Sequence, residues 1–478
     1  MGPYETKEAC DQWKEEYGLP FDVIPDEDGT LFKQLSNGWV PYSILVGPDG
    51  KVILWESEFN EAGFTAAVEK IYEEPVAPGE AKPAPQAAPR RSGRAWGANI
   101  LILGGGAGGL VAAYHLRKKL PKGHRIIVMD REPNHLFQSS LLWRAVGLRS
   151  AEQIQRPLSD LVKKGVEFIN EPAVQIDMDR KLVRTPSQEV DFDFLIVALG
   201  AELAPQEVLG FEEMALNLYD LEGTARIQAA LDDFSGGKVG VLVTDMPFKC
   251  PAAPYEAALL VDSFLRKKGV RERSEVHIYT PEHQPMPIAG AAMGEAISKV
   301  LKKRGIGYHP LFTFEWISPG DHTITQSSGE PQEVDLLLAV PPHRAPEVVG
   351  YSGLLGSSGW IHVDANTLQT EHEGVYAIGD VNNIRLANGK NLPMAGVFAH
   401  SEAGVVADRI VAEIEGKTPE ATFEGKGYCW LELGGGKAGF AAGNFYAEPE
   451  PAVRLYPPTR PAHWGKVAFE KWWLRHWF

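Results

Sequence analysis

The pattern of hydrophobic and polar positions is clearest in the stretch from Asn99 to Asp130. Residues 100–103 are all apolar, and their number and β-branched content are typical of a buried strand. An amphipathic stretch from Leu110 to about Leu120 predicts a helix, and residues 125–129 predict a second strand. Between the first strand and the helix the chain reads GGGAGG. This order of strand, glycine-rich turn, helix and strand predicts one βαβ unit of a parallel sheet.

The glycines of this turn fit the spacing G-x-G-x-x-G. In that motif Gly104 allows the tight turn, Gly106 lets a pyrophosphate approach the backbone, and Gly109 lets the helix pack closely on the strand. The helix N-terminus offers unpaired N–H groups to the phosphates, and Asp130 can accept ribose hydroxyls. The alternative is a glycine-rich loop without a ligand. The candidate dinucleotide site at this turn comprises Gly104, Gly106, Ala107, Gly108, Gly109, Asp130 and Arg131.

Two later segments extend this candidate site. Residues 195–202 read LIVALGAE and residues 374–380 read GVYAIGD, so each is a strand that ends in a small-residue turn. Gly379 allows close backbone approach, and Asp380 can bind a ribityl hydroxyl of a flavin. An NAD dehydrogenase does not need this later acid, so we predict FAD at the first site. The further cofactor-binding candidates are Val174, Ala198, Gly200, Gly379, Asp380 and Pro393.

A second βαβ-like block begins near Gly236, with a strand at 239–243 and a helix from about Pro254 to Lys268. A reductase driven by NAD(P)H would need a second glycine-rich turn between them. The turn at 244–256 has no glycine, and its prolines hinder close backbone approach. It carries Cys250 at the start of the helix, where the helix dipole is expected to lower the thiol pKa.

Cys250 and Glu256 are therefore the candidate catalytic residues, with Glu256 as a proton shuttle in the first turns of the helix. Two alternatives stay open. Cys250 can instead be a buried, inert thiol, and Glu256 can be an ordinary charge near a helix N-terminus.

Length, charge and cysteine content exclude several classes of protein. The chain has 478 residues and a formal net charge of −16, and an acidic surface does not favour nucleic acid. No apolar run reaches the roughly 18 residues of a transmembrane helix, and the N-terminus lacks the features of a secretory signal. The 3 cysteines are too scattered for a disulfide scaffold or a metal site. We therefore expect a cytoplasmic protein of two or three domains that binds no metal.

Residues 1–73 are predicted to form a small separate unit with a helix, a short strand and a hairpin around the turn at 47–50. This order resembles the second half of a thioredoxin-like fold, in which Pro41 would be the cis-proline. The first strand and the cysteine-containing turn of that fold are missing, and Cys10 lies on the predicted helix. We expect a docking or remnant role. Residues 74–95 are rich in Pro and Ala and predict an extended linker.

The segment CPAAPYEAA at 250–258 resembles the redox-cysteine segment of sulfide:quinone oxidoreductases and of the flavoprotein subunit of flavocytochrome c sulfide dehydrogenase. Four further segments, at 359–380, 393–410, 427–449 and 466–478, resemble the same family, so the resemblance covers 97–478. It implies an α/β fold with two Rossmann-like domains of the FAD disulfide-oxidoreductase type. The implied parts are an FAD-binding domain at 96–235 and 365–423, a second Rossmann-like domain at 236–364, and a C-terminal segment at 424–478.

The sequence departs from this family at three places. The resemblance implies a second cysteine within 351–359, but Leu354 and Leu355 stand there. A further family cysteine would fall near Leu218 and is absent, and Met394 replaces a frequent lysine. Cys429 is expected to pack in the C-terminal hairpin rather than to pair with Cys250. These absences argue against a bridge between two cysteines of this domain, whereas a single thiolate could still take up sulfide sulfur or form a flavin C4a adduct.

The resemblance implies an FAD-dependent oxidoreductase that passes electrons from sulfide, or a small thiol or persulfide, to a quinone near Pro393. Two other functions stay open. One is an NAD(P)H-dependent quinone or disulfide reductase, which the glycine-free turn argues against. The other is a non-catalytic flavoprotein scaffold that docks a sulfur-carrier protein.

The C-terminal tail at 466–478 gathers aromatic and aliphatic residues on one side, with basic residues between them. Such a helix suits the headgroup layer of a membrane surface. The alternatives are a helix that caps its own domain and one that packs on the second subunit of a homodimer.

Overall fold

The computed structural model describes residues 97–478 and the backbone of 43–46 and 52–56. The chain divides into two compact units, Met1–Gly93 and Arg94–Phe478. In the first unit, strands β1 (Ser43–Val46) and β2 (Val52–Glu56) pair antiparallel, with Ser43 opposite Glu56. This pairing agrees with the predicted hairpin. Cys10, Pro41, the linker at 74–95 and the remainder of the thioredoxin-like prediction lie outside the described residues.

Thirteen further strands build the three main sheets of the second unit. They are β3 (Asn99–Leu103), β4 (Arg125–Met129), β5 (Glu167–Ile169), β6 (Phe194–Val197), β7 (Ala215–Asn217), β8 (Gly237–Val243), β9 (Ser274–Tyr279), β10 (Ile306–His309), β11 (Leu336–Val340), β12 (Val375–Ala377), β13 (Lys426–Glu432), β14 (Ala438–Asn444) and β15 (Ala452–Thr459).

Seven of the nine α-helices in the described residues have five residues or more, and the other two are Phe211–Met214 and Glu347–Gly350. The seven longer helices are α1 (Ala107–Lys119), α2 (Leu141–Ala145), α3 (Leu221–Asp233), α4 (Ala253–Lys268), α5 (Ala291–Arg304), α6 (Gly396–Ile414) and α7 (Arg460–His476). Short strands form two small three-stranded sheets, Gln175–Asp177 with Leu182–Arg184 and Glu189–Asp191, and Phe314–Ser318 with Thr323–Gln326 and Gln332–Glu333.

The first main sheet is parallel throughout, in the order β12-β6-β3-β4-β5. Every residue of β3 is buried, because helices and loops cover both faces of the sheet. Side chains alternate between the two faces of a strand. Ile100 and Ile102 accordingly join the core beneath α1 and α6, whereas Leu101 and Leu103 join the core on the opposite face.

The second main sheet is also parallel, in the order β7-β11-β8-β9-β10. The α/β fold with two Rossmann-like sheets is thus confirmed. Strand β7 belongs to this sheet although it precedes residue 236, where the sequence suggested that the second domain begins. The chain therefore enters the second sheet before the predicted boundary.

The C-terminal segment forms an antiparallel sheet, β13-β14-β15, followed by α7. Trp473, Leu474 and Trp477 of α7 are buried in the core that also contains α1 and α6. The apolar side of the tail thus caps its own domain, while Trp464 and Trp472 remain 65% and 42% exposed. Within the part of the chain that the structure describes, no helix has the length and hydrophobicity needed to cross a bilayer.

The stretch at 154–164 changes conformation at Pro157 and does not form one helix. Residues Gln155–Pro157 form a short strand that pairs with Asn134–Leu136, and only Leu158–Lys164 is helical, as a 3₁₀ helix. Pro157 explains the change, because proline disfavours α-helical backbone in the residue before it.

We expect the substitution Gly109→Ala to destabilise the protein by about 3 kcal/mol or more, because overpacking into rigid backbone cannot relax. A Cβ on Gly109 would lie 1.9 Å from the Gly104 carbonyl oxygen. Urea unfolding measures the effect.

The matched control is Gly404→Ala in α6, where no atom lies within 4 Å of the added Cβ. This variant should be as stable as the original chain or gain up to about 1 kcal/mol, because alanine is the better helix former. Equal stability of the two variants would contradict the packing role of Gly109.

Candidate functional site

The carboxyl ends of the first parallel sheet converge on one edge, as parallel strands require. Backbone hydrogen bonds join the turns that follow the strands: Gly104 N–H donates to Met129 O at 2.8 Å, and Ala198 N–H donates to Leu103 O at 2.8 Å. Ile378 N–H donates to Val197 O at 3.0 Å. The structure therefore brings together the ends of β3, β4, β6 and β12, each of which the sequence linked to the cofactor.

The three motif glycines have distinct surroundings. Gly104 has φ +99°, and a Cβ there would lie 2.4 Å from Ala198 O. Gly109 contacts the Gly104 carbonyl, so both positions exclude any side chain. The space beside Gly106, by contrast, is open, with no atom within 4 Å of its added Cβ. No side chain caps the N-terminus of α1, which begins at Ala107. The open backbone and free helix N-terminus fit a phosphate group.

Asp130 fastens this turn. Its carboxylate accepts hydrogen bonds from Gly105 N–H at 2.6 Å and from Glu132 N–H at 2.8 Å. Burial raises the pKa of Asp130 above its ordinary value. Each oxygen keeps a second lone pair, so Asp130 can still accept a ribose hydroxyl. Arg131 points away into an ion pair with Glu202 at 2.8 Å and is largely exposed.

Asp380 lies in the turn after β12. It lines a small cavity between that turn and the start of α6. Within the described residues its carboxylate has no hydrogen bond or ion pair, and burial raises its pKa while the charge of Lys249 opposes the rise. A carboxylate left without a partner beside a cavity fits a hydroxylated ligand chain. The other cavity residues are Gly379, Asn382, Leu392, Pro393, Met394, Ala395, Phe398 and Glu402.

Glu402 is a site residue that the sequence did not reveal. Its carboxylate accepts hydrogen bonds from Gly379 N–H at 2.6 Å and from the Asn382 amide at 3.2 Å. Burial raises the pKa of Glu402 to about 7. Glu402 thus fixes the turn that carries Asp380. A glutamate in an amphipathic helix gives no such signal, since its partners are distant in sequence.

Cys250 lies where the loop after β8 meets this cavity. Its N–H donates to the Met394 carbonyl at 2.6 Å, and its φ of +54° places it in the left-handed region. The prediction of a lowered thiol pKa is wrong, because desolvation raises the pKa of Cys250 well above its ordinary value. The helix α4 begins only at Ala253, and its dipole does not compensate.

Cys429, on β13, lies close to Cys250. It shares a strand face with Gly427, whose added Cβ would lie 2.4 Å from the ring of Phe398 in the cavity wall. It also shares that face with Leu431, which packs against the same core as Cys250. A negative charge on Cys429 raises the pKa of Cys250, second only to desolvation. Desolvation likewise raises the pKa of Cys429 to about 12.

Cys429 lies on a strand of the C-terminal hairpin, as expected, where its thiol donates to the Trp430 carbonyl at 3.4 Å, and the same strand brings it near Cys250. The segment at 351–359, where the resemblance implied a second cysteine, occupies another region: Leu354 packs against Leu101 and Val197 on the far face of the first sheet. Leu218 packs in the core of the second sheet. One indication of a role for Cys429 was present in the sequence, since it is one of only 3 cysteines in the chain and lies in the segment GYCWLELGGG.

Glu256, predicted as a proton shuttle, is 4% exposed and engaged in an ion pair. Its Oε1 accepts from Lys466 Nζ at 3.0 Å and from Glu432 N–H at 2.6 Å. These contacts join α4 to β13 and α7. Glu256 is thus a fixed charge beside the thiols rather than a free carboxylate.

Lys249, the neighbour of Cys250, is also buried. It is 8% exposed, and its Nζ lies 5.5 Å from the centre of the Tyr219 ring, a cation–π distance. Burial lowers the pKa of Lys249, while the negative charge of Asp380 opposes that shift. Lys249 therefore provides a positive charge near Asp380 of the cavity wall. Met394, which stands where a lysine is frequent in the resembled family, provides none.

Two predicted cofactor residues, Val174 and Gly200, have fewer contacts with the other residues of the candidate site. Val174 is 49% exposed, and its N–H donates to Arg184 O in a small antiparallel sheet. Gly200 has φ +70° in the turn after β6 and open space around it. Their part in cofactor binding stays a prediction.

The glycine-rich turn is also tied to the C-terminal helix, through His135. Its Nδ1–H donates to Gly105 O at 2.8 Å, and its Nε2 accepts from the Trp473 indole at 3.0 Å. The imidazole is neutral in this arrangement, and burial lowers the pKa of His135 to about 4.

The sequence model of the pyridine nucleotide-disulphide oxidoreductase family matches residues 98–403. The chain belongs to this family. The enzymes of the family carry a flavin, and the open turn at Gly106 and the partnerless Asp380 fit one. Three of the predicted residues, Gly104, Gly109 and Asp130, meet at the turn after β3, and their part in cofactor binding stays a prediction.

Relatives within the family confirm the resemblance to sulfide:quinone oxidoreductases. The sulfide-quinone reductase of Aquifex aeolicus is 26% identical over 394 residues, which are 79% of this chain and 90% of that protein. The mitochondrial sulfide:quinone oxidoreductase of Mus musculus is 24% identical over 367 residues, 73% of this chain and 79% of that protein. The Aquifex aeolicus crystal structure superimposes with a TM-score of 0.72 and covers 80% of this chain and 92% of its own.

We expect Asp380→Asn to weaken flavin retention by about 10-fold or more, since a hydrogen bond to a charged group contributes about 1.5–3 kcal/mol. Flavin released on dilution and filtration, read from the visible spectrum, measures this. Asp179→Asn, at an exposed position, should retain flavin normally. Equal retention in both variants would contradict the role of Asp380.

Because His135 is neutral in the folded protein, we expect the folding stability to fall as the pH is lowered. The pKa of His135 is about 4 in the folded protein and ordinarily 6.5, so the unfolded chain binds the proton first as the pH falls. The contribution of the neutral His135 to the free energy of unfolding is complete above pH 6.5 and is lost progressively as the pH falls toward 4. The loss approaches about 3 kcal/mol. Unfolding free energies of the wild type and of His135→Gln should therefore converge over this interval.

The exposed His283 supplies the matched control, His283→Gln. That variant should follow the wild-type pH profile throughout. A constant difference between the wild type and His135→Gln from pH 7 to about 4 would contradict a neutral, buried His135.

Proposed function

We propose that this chain is an FAD-dependent oxidoreductase that passes electrons from sulfide to a quinone. The observation that carries this proposal is the position of Cys250, whose N–H donates to Met394 of the cavity wall and whose thiol pKa is raised by the charge of the nearby Cys429. The relatives that this chain matches over most of its length include a sulfide:quinone oxidoreductase and a sulfide-quinone reductase. The FAD-binding residues would be Gly104, Gly106, Gly109, Asp130, Gly379 and Asp380.

The two cysteines would act as a reversible disulfide. Hydrosulfide attacks one sulfur of the Cys250–Cys429 disulfide, so one S–S bond forms, another breaks, and one cysteine leaves as a thiolate. The product is a cysteine persulfide together with that thiolate. The raised thiol pKa values make the incoming hydrosulfide, not a protein thiol, the nucleophile, and they mean that the departing cysteine thiolate needs a positive charge nearby.

Bound FAD would supply a two-electron acceptor that collects the electron pair and delivers it to the quinone. The protein's own part is to hold Cys250 at the cavity through its hydrogen bond to Met394 O. Lys249 places a positive charge beside Cys250 and Asp380, which favours the negative charge that develops during reduction. The outer sulfur of the persulfide is transferred to a second hydrosulfide or a small thiol, which leaves both cysteines reduced. Their electron pair would pass to bound FAD as the Cys250–Cys429 disulfide forms again.

The geometry of the second sheet disfavours NAD(P)H as the electron donor. The turn after β8 is engaged in internal contacts, with Thr244 Oγ1 donating to Val340 O at 2.7 Å and Asp245 paired with Arg344 at 2.8 Å. Phe248 fills the space behind it and is 3% exposed. A pyrophosphate would find no glycine in this turn, and Pro254 in the first turn of α4 has no N–H to offer.

The quinone would approach near Pro393 and the C-terminal segment. Exposed aromatic residues of that segment, Trp464 and Trp472, lie with Lys471 and Arg475 on α7. Aromatic and basic residues together suit a membrane surface, where a lipid-soluble quinone is found. We therefore propose peripheral membrane association.

The test is anaerobic reduction of the bound flavin. Sulfide should bleach the flavin band and a soluble quinone should restore it, whereas NADH should leave the band unchanged. Cys250→Ser and Cys429→Ser should each slow bleaching by sulfide about 100-fold or more, and the double variant should be no slower, since the two sulfurs act as one unit.

Dithionite serves as the control, because it should reduce the flavin in every variant if the cofactor is bound. Unchanged bleaching by sulfide in Cys250→Ser would contradict the proposal. Rapid bleaching by NADH in the wild type would instead favour an NAD(P)H-dependent reductase.

A further inference from the structure

We propose that Lys466 of α7 is a positioning residue of the thiol site. Its ammonium group holds the Glu256 carboxylate in an ion pair beside Cys250 and Cys429 and thereby keeps these two thiols reactive. The inference rests on the proposed function for the use of the two cysteines. It assigns the C-terminal helix a part in sulfur chemistry, in addition to any contact with a membrane.

The geometry of this ion pair is that of an enclosed charge. Lys466 is 7% exposed and Glu256 is 4% exposed, and Nζ lies 3.0 Å from Oε1. The ammonium group also lies 5.0 Å from the centre of the Trp143 ring, which is itself 1% exposed. Removing one partner of such a pair leaves the other charge buried and uncompensated.

The chain places this pair between the two cysteine segments. Glu256 lies on α4, 6 residues after Cys250, and Glu432 lies on β13, 3 residues after Cys429. The Glu432 N–H donates to Glu256 Oε1 at 2.6 Å, so strand and helix meet at this carboxylate. Without Lys466, two buried carboxylates would face the thiols with no cation between them.

Titratable groups approach the thiols from several elements. His463 of α7 lies 3.0 Å from both carboxylate oxygens of Glu432 and is about one-fifth exposed. The groups that face the two thiols or the ion pair are Tyr219, Lys249, Cys250, Glu256, Cys429, Glu432, His463 and Lys466.

The directions in which the neighbouring charges shift the thiol pKa values agree with this placement. After desolvation, the Glu256 charge raises the pKa of both cysteines, and the Lys466 charge lowers both. Burial alone would lower the pKa of Lys466, but attraction to Glu256 and Glu432 outweighs it and leaves that pKa raised. Lys466 therefore stays charged at neutral pH and favours the thiolate form of its neighbours.

The test is the pH profile of thiol alkylation in the reduced, flavin-loaded protein. Iodoacetamide labels the half-buried thiols, and mass spectrometry of the two cysteine peptides gives a rate for each at every pH. In Lys466→Met the profiles should move upward by about one pH unit or more, which is about a 10-fold slower reaction at fixed pH. Lys466→Arg should stay close to the wild type.

The matched control is Lys471→Met, which removes an exposed lysine from the same helix. Its alkylation profile should superimpose on the wild-type profile. A Lys466→Met profile that also superimposes on the wild type would overturn the proposal.

Glu256→Gln separates electrostatics from damage to the fold. Alone, it should move the thiol profiles downward in pH, because it removes a negative charge. In Lys466→Met/Glu256→Gln, the uncompensated carboxylate is gone, so the profile should return toward the wild type. An unchanged profile in Glu256→Gln, or no recovery in the double variant, would overturn the proposal.

This experiment and the test of the proposed function fail separately. Alkylation rates do not depend on electron transfer to the flavin. A wild-type flavin that sulfide does not reduce would therefore contradict the proposed function, while the shift caused by Lys466→Met would still decide the role of the ion pair.

Discussion

The backbone hydrogen bond from Cys250 N–H to the Met394 carbonyl joins the two halves of this flavoprotein at the point where its chemistry is expected. Met394 belongs to the cavity wall that also includes Asp380, at the carboxyl edge of the first sheet. Cys250 ends the loop that follows β8 in the second sheet. Because both donor and acceptor are main-chain atoms, the contact depends on where the two sheets place their loops rather than on the side chain at 394.

The C-terminal segment completes this arrangement from a third direction. Strand β13 carries Cys429 toward the cavity wall, and α7 contributes Lys466 to the ion pair and Trp473 to the hydrogen bond with His135. His135 in turn holds the carbonyl of Gly105 in the dinucleotide turn. The tail thus contacts both the thiol region and the flavin turn, so its aromatic side is needed by the domain itself.

Local sequence predicted the parts of the fold that local physics decides. A tight turn at Gly104, close packing at Gly109 and an open face at Gly106 are all consequences of short-range steric rules, and the structure has each of them. The parallel sheet then follows from the alternation of strand and helix. Asp380 was found because an acid directly after a strand lies at the same sheet edge.

The remaining features depend on contacts between residues that are far apart in the sequence. Cys250 was expected to have a lowered pKa from the helix dipole, but desolvation by burial raises it instead. Cys429 was assigned to a hairpin because nothing near it in sequence indicates which helix its strand will face. Glu256 and Lys466 are 210 residues apart, so neither could reveal the other.

The proximity of Cys250 and Cys429 is the central claim, and a disulfide between them tests it most directly. The flavin-loaded protein would be oxidised with diamide, digested without reduction and analysed by mass spectrometry, with Cys10→Ser as the background. We predict one cross-linked peptide pair that contains Cys250 and Cys429 and disappears on reduction. Two separate, singly modified cysteine peptides from protein that retains its flavin would contradict the account.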